Sequence, residues 1–187
     1  MPNQTITTMK FSLLTILFTG TLLVSCMAPA KKQLFSDSPD IDLGKNVVAA
    51  YLTEDWATLA SNYSDTARIW RNVNWTTEDG FNTDQFVEDL KEGLQNIDSY
   101  GFDPQIWESV INENEEHWVH FWGVWKGHST LNDKNYEIPV NIVMRVVDGK
   151  IVYEGDIFNS AEIAVDMMQL SDNDEGEMEG EGDDDDD

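Results

Sequence analysis

Three residues carry side chains that could move or hold a proton in a pocket. Asp156 lies between Gly155 and Ile157 in the apolar segment "IVYEGDIFN", which predicts a half-buried carboxyl group. Burial raises the pKa of a carboxyl toward neutral pH, as general acid–base chemistry requires. Tyr63 and His120 could donate hydrogen bonds to a carbonyl group of a substrate. Asp156, Tyr63 and His120 are therefore the predicted catalytic residues.

Arg145 has two interpretations. Its guanidinium could hold an anionic group of a ligand through two parallel hydrogen bonds. The alternation in "YEIPVNIVMRVV" instead places the apolar residues on the side facing the helices and Arg145 on the opposite side. Glu154 and Asp156 share a register, so they could pair with Arg145 in a surface ion pair worth at most about 1 kcal/mol. The residues alone leave both interpretations open.

Other catalytic machinery is not recognisable in the sequence. The chain has no G-x-S-x-G nucleophile motif and no glycine-rich phosphate loop. His117 and His120 would point to opposite faces of a strand, while His120 and His128 would lie about 26 Å apart on one face. Such positions do not suit one metal ion. The sequence predicts no metal centre and no cofactor.

Tryptophan is unusually frequent, with seven residues in the chain. Trp118 and Trp122 fall on one face of a predicted strand and Trp125 on the other. One face is expected to pack on the helices or line an apolar pocket, with Trp70 and Trp122 as candidate ligand-binding residues beside Arg145. An exposed aromatic face is a liability on a monomer, so the outer face predicts a homodimer interface. Packing within a large core is the alternative.

Hydrophobic periodicity predicts the elements that position these residues. Spacings of three and four predict two short helices, the second capped by Asp55, and a third helix whose apolar stripe runs from Phe86 to Ile97. Residues 67–75 alternate as a strand. Further strand-like runs follow, of which "QIWESVINENE" is the first and "IVYEGDIFN" the last. A last short helix follows Ser160. This order predicts an α+β fold with an antiparallel sheet.

The single cysteine, Cys26, follows a charged and then apolar N-terminal segment. Lys10 precedes an apolar run at 11–24, which is shorter than the ~20 residues of a membrane span. The pattern predicts a signal peptide over 1–25. "LVSC" resembles the lipobox of bacterial lipoproteins, which implies lipidation of Cys26, a membrane anchor and a cell-envelope location. Met27, in place of Asp, favours the outer membrane, facing the periplasm.

The chain is strongly acidic, with a formal net charge of −25. Residues 171–187 hold eleven acidic residues and no basic one, which predicts a disordered tail and leaves −14 for the rest of the chain. Nucleic acid is excluded as an expected partner, because binding it requires Lys and Arg to neutralise phosphates. Residues 26–40 contain small residues and two prolines without periodicity, which predicts a linker.

Two stretches of the sequence are similar to the SnoaL-like branch of the nuclear-transport-factor-2-like superfamily: "AAYLTEDWATLASNYSDTARI" and "MRVVDGKIVYEGDIFNSAEI". The resemblance implies a domain over 41–170 with a cone-shaped fold, in which a curved antiparallel sheet packs against three to four helices around a pocket. The leading prediction is a domain that binds a small apolar molecule without a recognisable catalytic set. The alternatives are an isomerase, cyclase or hydrolase of the same fold, and a protein-interaction module.

Overall fold

The computed structural model describes residues 31–73 and 80–179, with side chains described as far as residue 170. The predicted signal peptide, Cys26 and the end of the acidic tail lie outside the described residues. Within the described residues ten elements follow one another: β1 (Gln33–Phe35), α1 (Pro39–Leu52), α2 (Trp56–Ser61), β2 (Tyr63–Arg71), α3 (Thr83–Leu94), β3 (Ile97–Ile111), β4 (His117–Ser129), β5 (Lys134–Val147), β6 (Lys150–Phe158) and α4 (Ala161–Glu179).

The strands form one six-stranded sheet in the order β1-β3-β4-β5-β6-β2. Neighbouring strands run antiparallel except β2 and β6, which pair in parallel. The sheet is therefore mixed rather than wholly antiparallel, because β2 enters the sheet at the edge beside β6. The predicted α+β class, a curved sheet packed with helices, is confirmed.

The helices begin where side chains satisfy the free backbone N–H groups. Ser38 caps α1 by accepting a hydrogen bond from Ile41 N, and Asp55 caps α2 by accepting one from Thr58 N at 3.0 Å, as predicted. In α3, Asn82 and Gln85 form a reciprocal capping box. These local bonds set the positions at which α1, α2 and α3 start.

The core lies between these helices and one face of the sheet, called here the inner face. Alternation along β5 places Tyr136, Ile138, Met144 and Val146 on it, all buried, in agreement with the predicted register. The opposite face is called here the outer face. Five apolar residues of the helices pack onto the inner face: Ile41, Val47, Leu59, Phe86 and Val87.

Several predicted boundaries differ from the structure. The strand predicted over 67–75 is β2, which spans Tyr63–Arg71. Helix α3 ends at Leu94, and Ile97 begins β3, which is 15 residues long. Pro104 lies at a register shift between Phe102 and Gln105, where a strand can accommodate proline. The predicted linker contains β1 and the start of α1. Helix α4 continues nine residues beyond residue 170, into the segment predicted as a disordered tail.

Candidate functional site

A cavity of about 360 Å³ lies between the inner face and the helices. Its walls are mostly apolar, and aromatic rings come from α1, α3, β3, β4 and β6: Tyr51, Phe86, Phe102, Trp125 and Phe158. Its polar groups include Arg71, Asp89, Glu154 and Asp156. A cavity of this size, with apolar walls and few polar groups, is typical of small-molecule sites.

Asp156 faces this cavity. The register of β6 on β5 sets Asp156 opposite Ile142 and Glu154 opposite Met144, both on the inner face. Glu154 is 1% exposed and Asp156 is 6% exposed. Arg145 instead lies opposite Tyr153 on the outer face and pairs with Glu116 at 3.4 Å. The surface ion pair between Asp156 and Arg145 considered from the sequence is therefore wrong.

Arg71 is the partner that the structure gives Asp156. The parallel pairing of β2 with β6 places the two residues opposite each other, with Arg71 Nε 3.3 Å from Asp156 Oδ2. Arg71 Nη1 also donates to Asp89 Oδ2 of α3. The guanidinium lies 5.0 Å from the ring centroid of Phe158 and 5.8 Å from that of Phe86. Two carboxylates and two rings thus hold this cation at the cavity wall.

Tyr63 lies beside the cavity and holds Glu154. Its hydroxyl donates a hydrogen bond of 2.6 Å to Glu154 Oε2, and both side chains are buried. Tyr63 is absent from the cavity lining, so the hydrogen bond predicted from Tyr63 to a substrate carbonyl has no geometric support. Tyr63 positions Glu154, and Glu154 reaches the cavity.

Burial dominates the acid–base properties of this cluster. It raises the pKa of Asp156 to about 6, while the Arg71 guanidinium opposes the shift. Burial, and then the charge of Asp156, raise the pKa of Glu154 well above its ordinary value. Burial and the Glu154 carboxyl raise the pKa of Tyr63. At neutral pH this arrangement favours an ionised Asp156 beside a protonated Glu154.

Asp156 has unused hydrogen-bonding capacity. Its carboxylate hydrogen-bonds to the Glu154 carboxyl, and its Oδ1 is buried with no N–H or hydroxyl donor among the described residues. Buried polar atoms are nearly always paired, so an orphaned carboxylate oxygen in a cavity wall indicates a place where a ligand group can bind.

The other predicted site residues lie on the outer face, away from this cavity. His120 stacks on Trp122 with ring centroids 5.5 Å apart, and Trp70 packs on Tyr153 at 4.9 Å. With Arg145, these positions follow from alternation, because each is adjacent in its strand to an inner-face residue. The prediction that His120, Trp70, Trp122 and Arg145 share a site with Asp156 is corrected.

The outer face carries a row of exposed apolar side chains. Ile106, Trp122, Asn141 and Ile157 are successive cross-strand neighbours on β3, β4, β5 and β6. Ile106, Trp122 and Ile157 are 54%, 39% and 63% exposed. This row is the surface on which the predicted homodimer interface would form.

Sequence reasoning missed Arg71, Asp89 and Glu154 as site residues. A signal for Arg71 was present, because it shares an alternating face with the buried Ile69. Asp89 gave no such signal, since its side chain meets Arg71 through the packing of α3 on β2.

The described part of the chain contains no group of three or more His, Cys, Asp or Glu side chains arranged to hold a metal ion. Among the same residues, no helix combines the length and apolarity needed to cross a membrane.

Comparison with solved structures identifies the class of fold. A proposed polyketide cyclase from Xanthomonas campestris pv. campestris superposes with a TM-score of 0.55 at 15% identity, over 66% of this chain and 93% of that one. An NTF2-like protein from Burkholderia xenovorans LB400 gives 0.54 at 11% identity, over 70% and 97% of the two chains. The chain therefore has the nuclear-transport-factor-2-like fold, as the resemblance implied.

A third structure agrees in fold. A proposed SnoaL-like polyketide cyclase from Shewanella putrefaciens CN-32 gives a TM-score of 0.52 at 12% identity, over 71% of this chain and 88% of that one. No protein-family model matches the sequence, and the search of curated proteins finds no match.

Proposed function

We propose that the domain binds a small, mostly apolar molecule in the cavity between the inner face and the helices. The observation that carries this proposal is the cavity of about 360 Å³, with aromatic and aliphatic walls and one buried charged cluster. The apolar walls would supply most of the binding free energy. Asp156 would orient the ligand through its Oδ1, and Arg71 would hold the Asp156 carboxylate in place.

Probe binding to a cavity-filling variant tests this proposal. Val140 lines the cavity from β5, so Val140→Trp should fill part of it. We expect N-phenyl-1-naphthylamine, a neutral apolar dye whose fluorescence rises in apolar surroundings, to bind the wild type and to lose at least about tenfold in affinity in the variant.

A matched control comes from the same strand. Val143 lies on the outer face opposite His120, so Val143→Trp adds the same bulk away from the cavity. This variant should bind the dye as the wild type does, with circular dichroism checking that both variants fold. Absence of dye binding to the wild type, or equal loss in both variants, would overturn the proposal.

Acid–base catalysis in the same cavity is the second candidate function. It is favoured by one observation, the pKa of Asp156 near 6 in a buried position that faces the cavity. A base with such a pKa is mostly ionised at neutral pH yet binds a proton readily. The class of reaction would be proton abstraction next to a carbonyl, as an isomerase or cyclase requires. Solved structures of this fold include proteins named as polyketide cyclases.

Deuterium exchange distinguishes catalysis from binding alone. In D2O, a catalytic Asp156 would speed the exchange of the α-protons of an aryl ketone such as 2-tetralone, measured by NMR. Asp156→Asn would abolish this acceleration, because the amide cannot accept the proton. Equal exchange with the wild type and the variant would leave ligand binding as the function.

The cell-envelope location is also proposed. Cys26 at the end of the apolar segment would carry the lipid, and the domain would be anchored to the outer membrane and face the periplasm. This proposal is supported by the lipobox-like "LVSC" and by the single occurrence of cysteine. More than one acyl chain is needed for stable anchoring.

A further inference from the structure

We infer that the ligand of the cavity is a cation: a small apolar molecule that carries a protonated amine, held at Oδ1 of Asp156. This inference rests on the proposed binding function and names its ligand class. It follows from the charges, the unpartnered oxygen and the aromatic rings of the cavity, taken together.

The charge of the cavity is negative. Among its lining residues, Arg71 is basic, whereas Asp89, Glu92, Glu154 and Asp156 are acidic. With Glu154 protonated, Asp89 and Asp156 contact the Arg71 guanidinium, and the exposed Glu92 adds a third negative charge to the lining. Arg71 is already engaged by Asp89 and Asp156, so its charge is matched before any ligand arrives. A ligand cation would compensate the remaining negative charge, and a ligand anion would add to it.

The hydrogen-bonding capacity of the cavity also favours a cationic ligand. The Asp156 carboxylate hydrogen-bonds to the Glu154 carboxyl, and no N–H or hydroxyl group of the described residues donates to its Oδ1, in a side chain that is 6% exposed. An ammonium group supplies donors and a matching charge, and charge-assisted hydrogen bonds are the stronger kind. Arg71 Nε is also unpartnered, but it lies 3.3 Å from the other Asp156 oxygen and so faces a carboxylate. Because a carboxylate oxygen accepts two hydrogen bonds, Asp156 Oδ1 keeps capacity for a donor from a ligand.

Aromatic rings surround the same space. Phe86 and Phe158 already contact the Arg71 guanidinium, which shows that ring faces in this cavity receive a cation. Tyr51, Phe102 and Trp125 line the cavity as well. These rings would contact the apolar body of the ligand and attract a nearby ammonium group. An anionic ligand would gain nothing from their electron-rich faces.

Three probes that share one ring system and differ in charge test the inference: 2-(1-naphthyl)ethylamine, 2-(1-naphthyl)ethanol and 1-naphthylacetate. Each is titrated into the whole domain by calorimetry at neutral pH and about 150 mM salt, which screens long-range attraction to the acidic surface. We expect the amine to bind at least about tenfold more tightly than the alcohol. The carboxylate should bind most weakly.

Substitutions identify the residue that causes the preference for the amine over the alcohol. Asp156→Asn should remove most of the difference in affinity between the amine and the alcohol. Asp148→Asn is the matched control, because it removes the same charge at the exposed turn before β6, where the positive φ of 50° suits Asn as well as Asp. Asp89→Asn, at the edge of the cavity, gives a second reading if Asp156→Asn does not fold, and it should weaken the amine preference in part.

The outcomes separate this inference from the binding proposal. If the alcohol binds but the amine binds no better, the cation inference fails and the binding proposal stands. Tighter binding of the carboxylate would make Arg71 the anchor and overturn the inference. An amine preference that survives both Asp156→Asn and Asp89→Asn would also overturn it. If none of the three probes binds although the neutral dye N-phenyl-1-naphthylamine does, the cation inference fails and the binding proposal stands.

Discussion

Replacing Asp156 by Asn should change how the stability of the domain depends on pH. In the folded protein, burial raises the pKa of Asp156 from 3.8 to about 6. The folded state therefore binds this proton more tightly than the unfolded state does. The contribution of Asp156 to stability is fully present below about pH 3.8 and is lost as the pH rises through about 6.

The size of the effect follows from the two pKa values. Each tenfold change in proton affinity corresponds to about 1.4 kcal/mol, so a change from 3.8 to about 6 corresponds to about 3 kcal/mol. Because Asp156 is 6% exposed, solvent screening reduces this value little. Asn cannot titrate, so the wild type should lose about 3 kcal/mol relative to Asp156→Asn between about pH 4 and about pH 7.

Urea unfolding followed by tryptophan fluorescence measures this difference. Other carboxylates, such as Asp98 and Asp166, have pKa values lowered by hydrogen bonds to His128 and Lys134, and they stabilise the fold as the pH rises. Subtracting the curves of the wild type and the variant cancels these contributions. The wild-type and Asp156→Asn curves are then measured again in proteins that also carry Glu154→Gln. This substitution removes the titration of Glu154 and keeps an oxygen that accepts the hydrogen bond from Tyr63.

A flat difference across this pH range would refute the reasoning. It would mean that Asp156 is solvated in the folded protein, or that Arg71 compensates its burial completely. Asp148→Asn, which removes the same charge at an exposed turn, is the control. A slope for that variant as large as the one for Asp156 would show that the general charge of the chain causes the effect.

Three further predictions concern the anchor, the buried hydrogen bond and the outer face. In bacterial cells the wild type should take up a labelled fatty-acid analogue and Cys26→Ser should not; an unlabelled wild type would contradict the anchor. Tyr63→Phe should cost about 1–3 kcal/mol in urea unfolding, because Glu154 loses a buried donor. An unchanged midpoint would mean that this bond contributes nothing. Trp122→Glu should convert a dimer to monomers in analytical ultracentrifugation, and a monomeric wild type would exclude the outer-face dimer.

Local patterns in the sequence determined the types of most elements and their faces. The alternation in β5 placed Tyr136, Met144 and Val146 on the buried side, and the acceptor at Asp55 marked the start of α2. Such features depend on side-chain spacing and on hydrogen bonds within a few residues, so a sequence carries them directly. The alternation of β4 likewise separated Trp122 from Trp125.

Only the tertiary structure decided on which side of the sheet Asp156 lies. Its face depends on the pairing of β6 with β5, and a shift of one residue would have placed Asp156 on the outer face, the face that carries Arg145. The partnership with Arg71 depends on the parallel pairing of β2 with β6, between residues far apart in the chain. Asp89 joins them because α3 packs on the sheet. Strand register and helix packing are set by the whole core, and local spacing does not contain them.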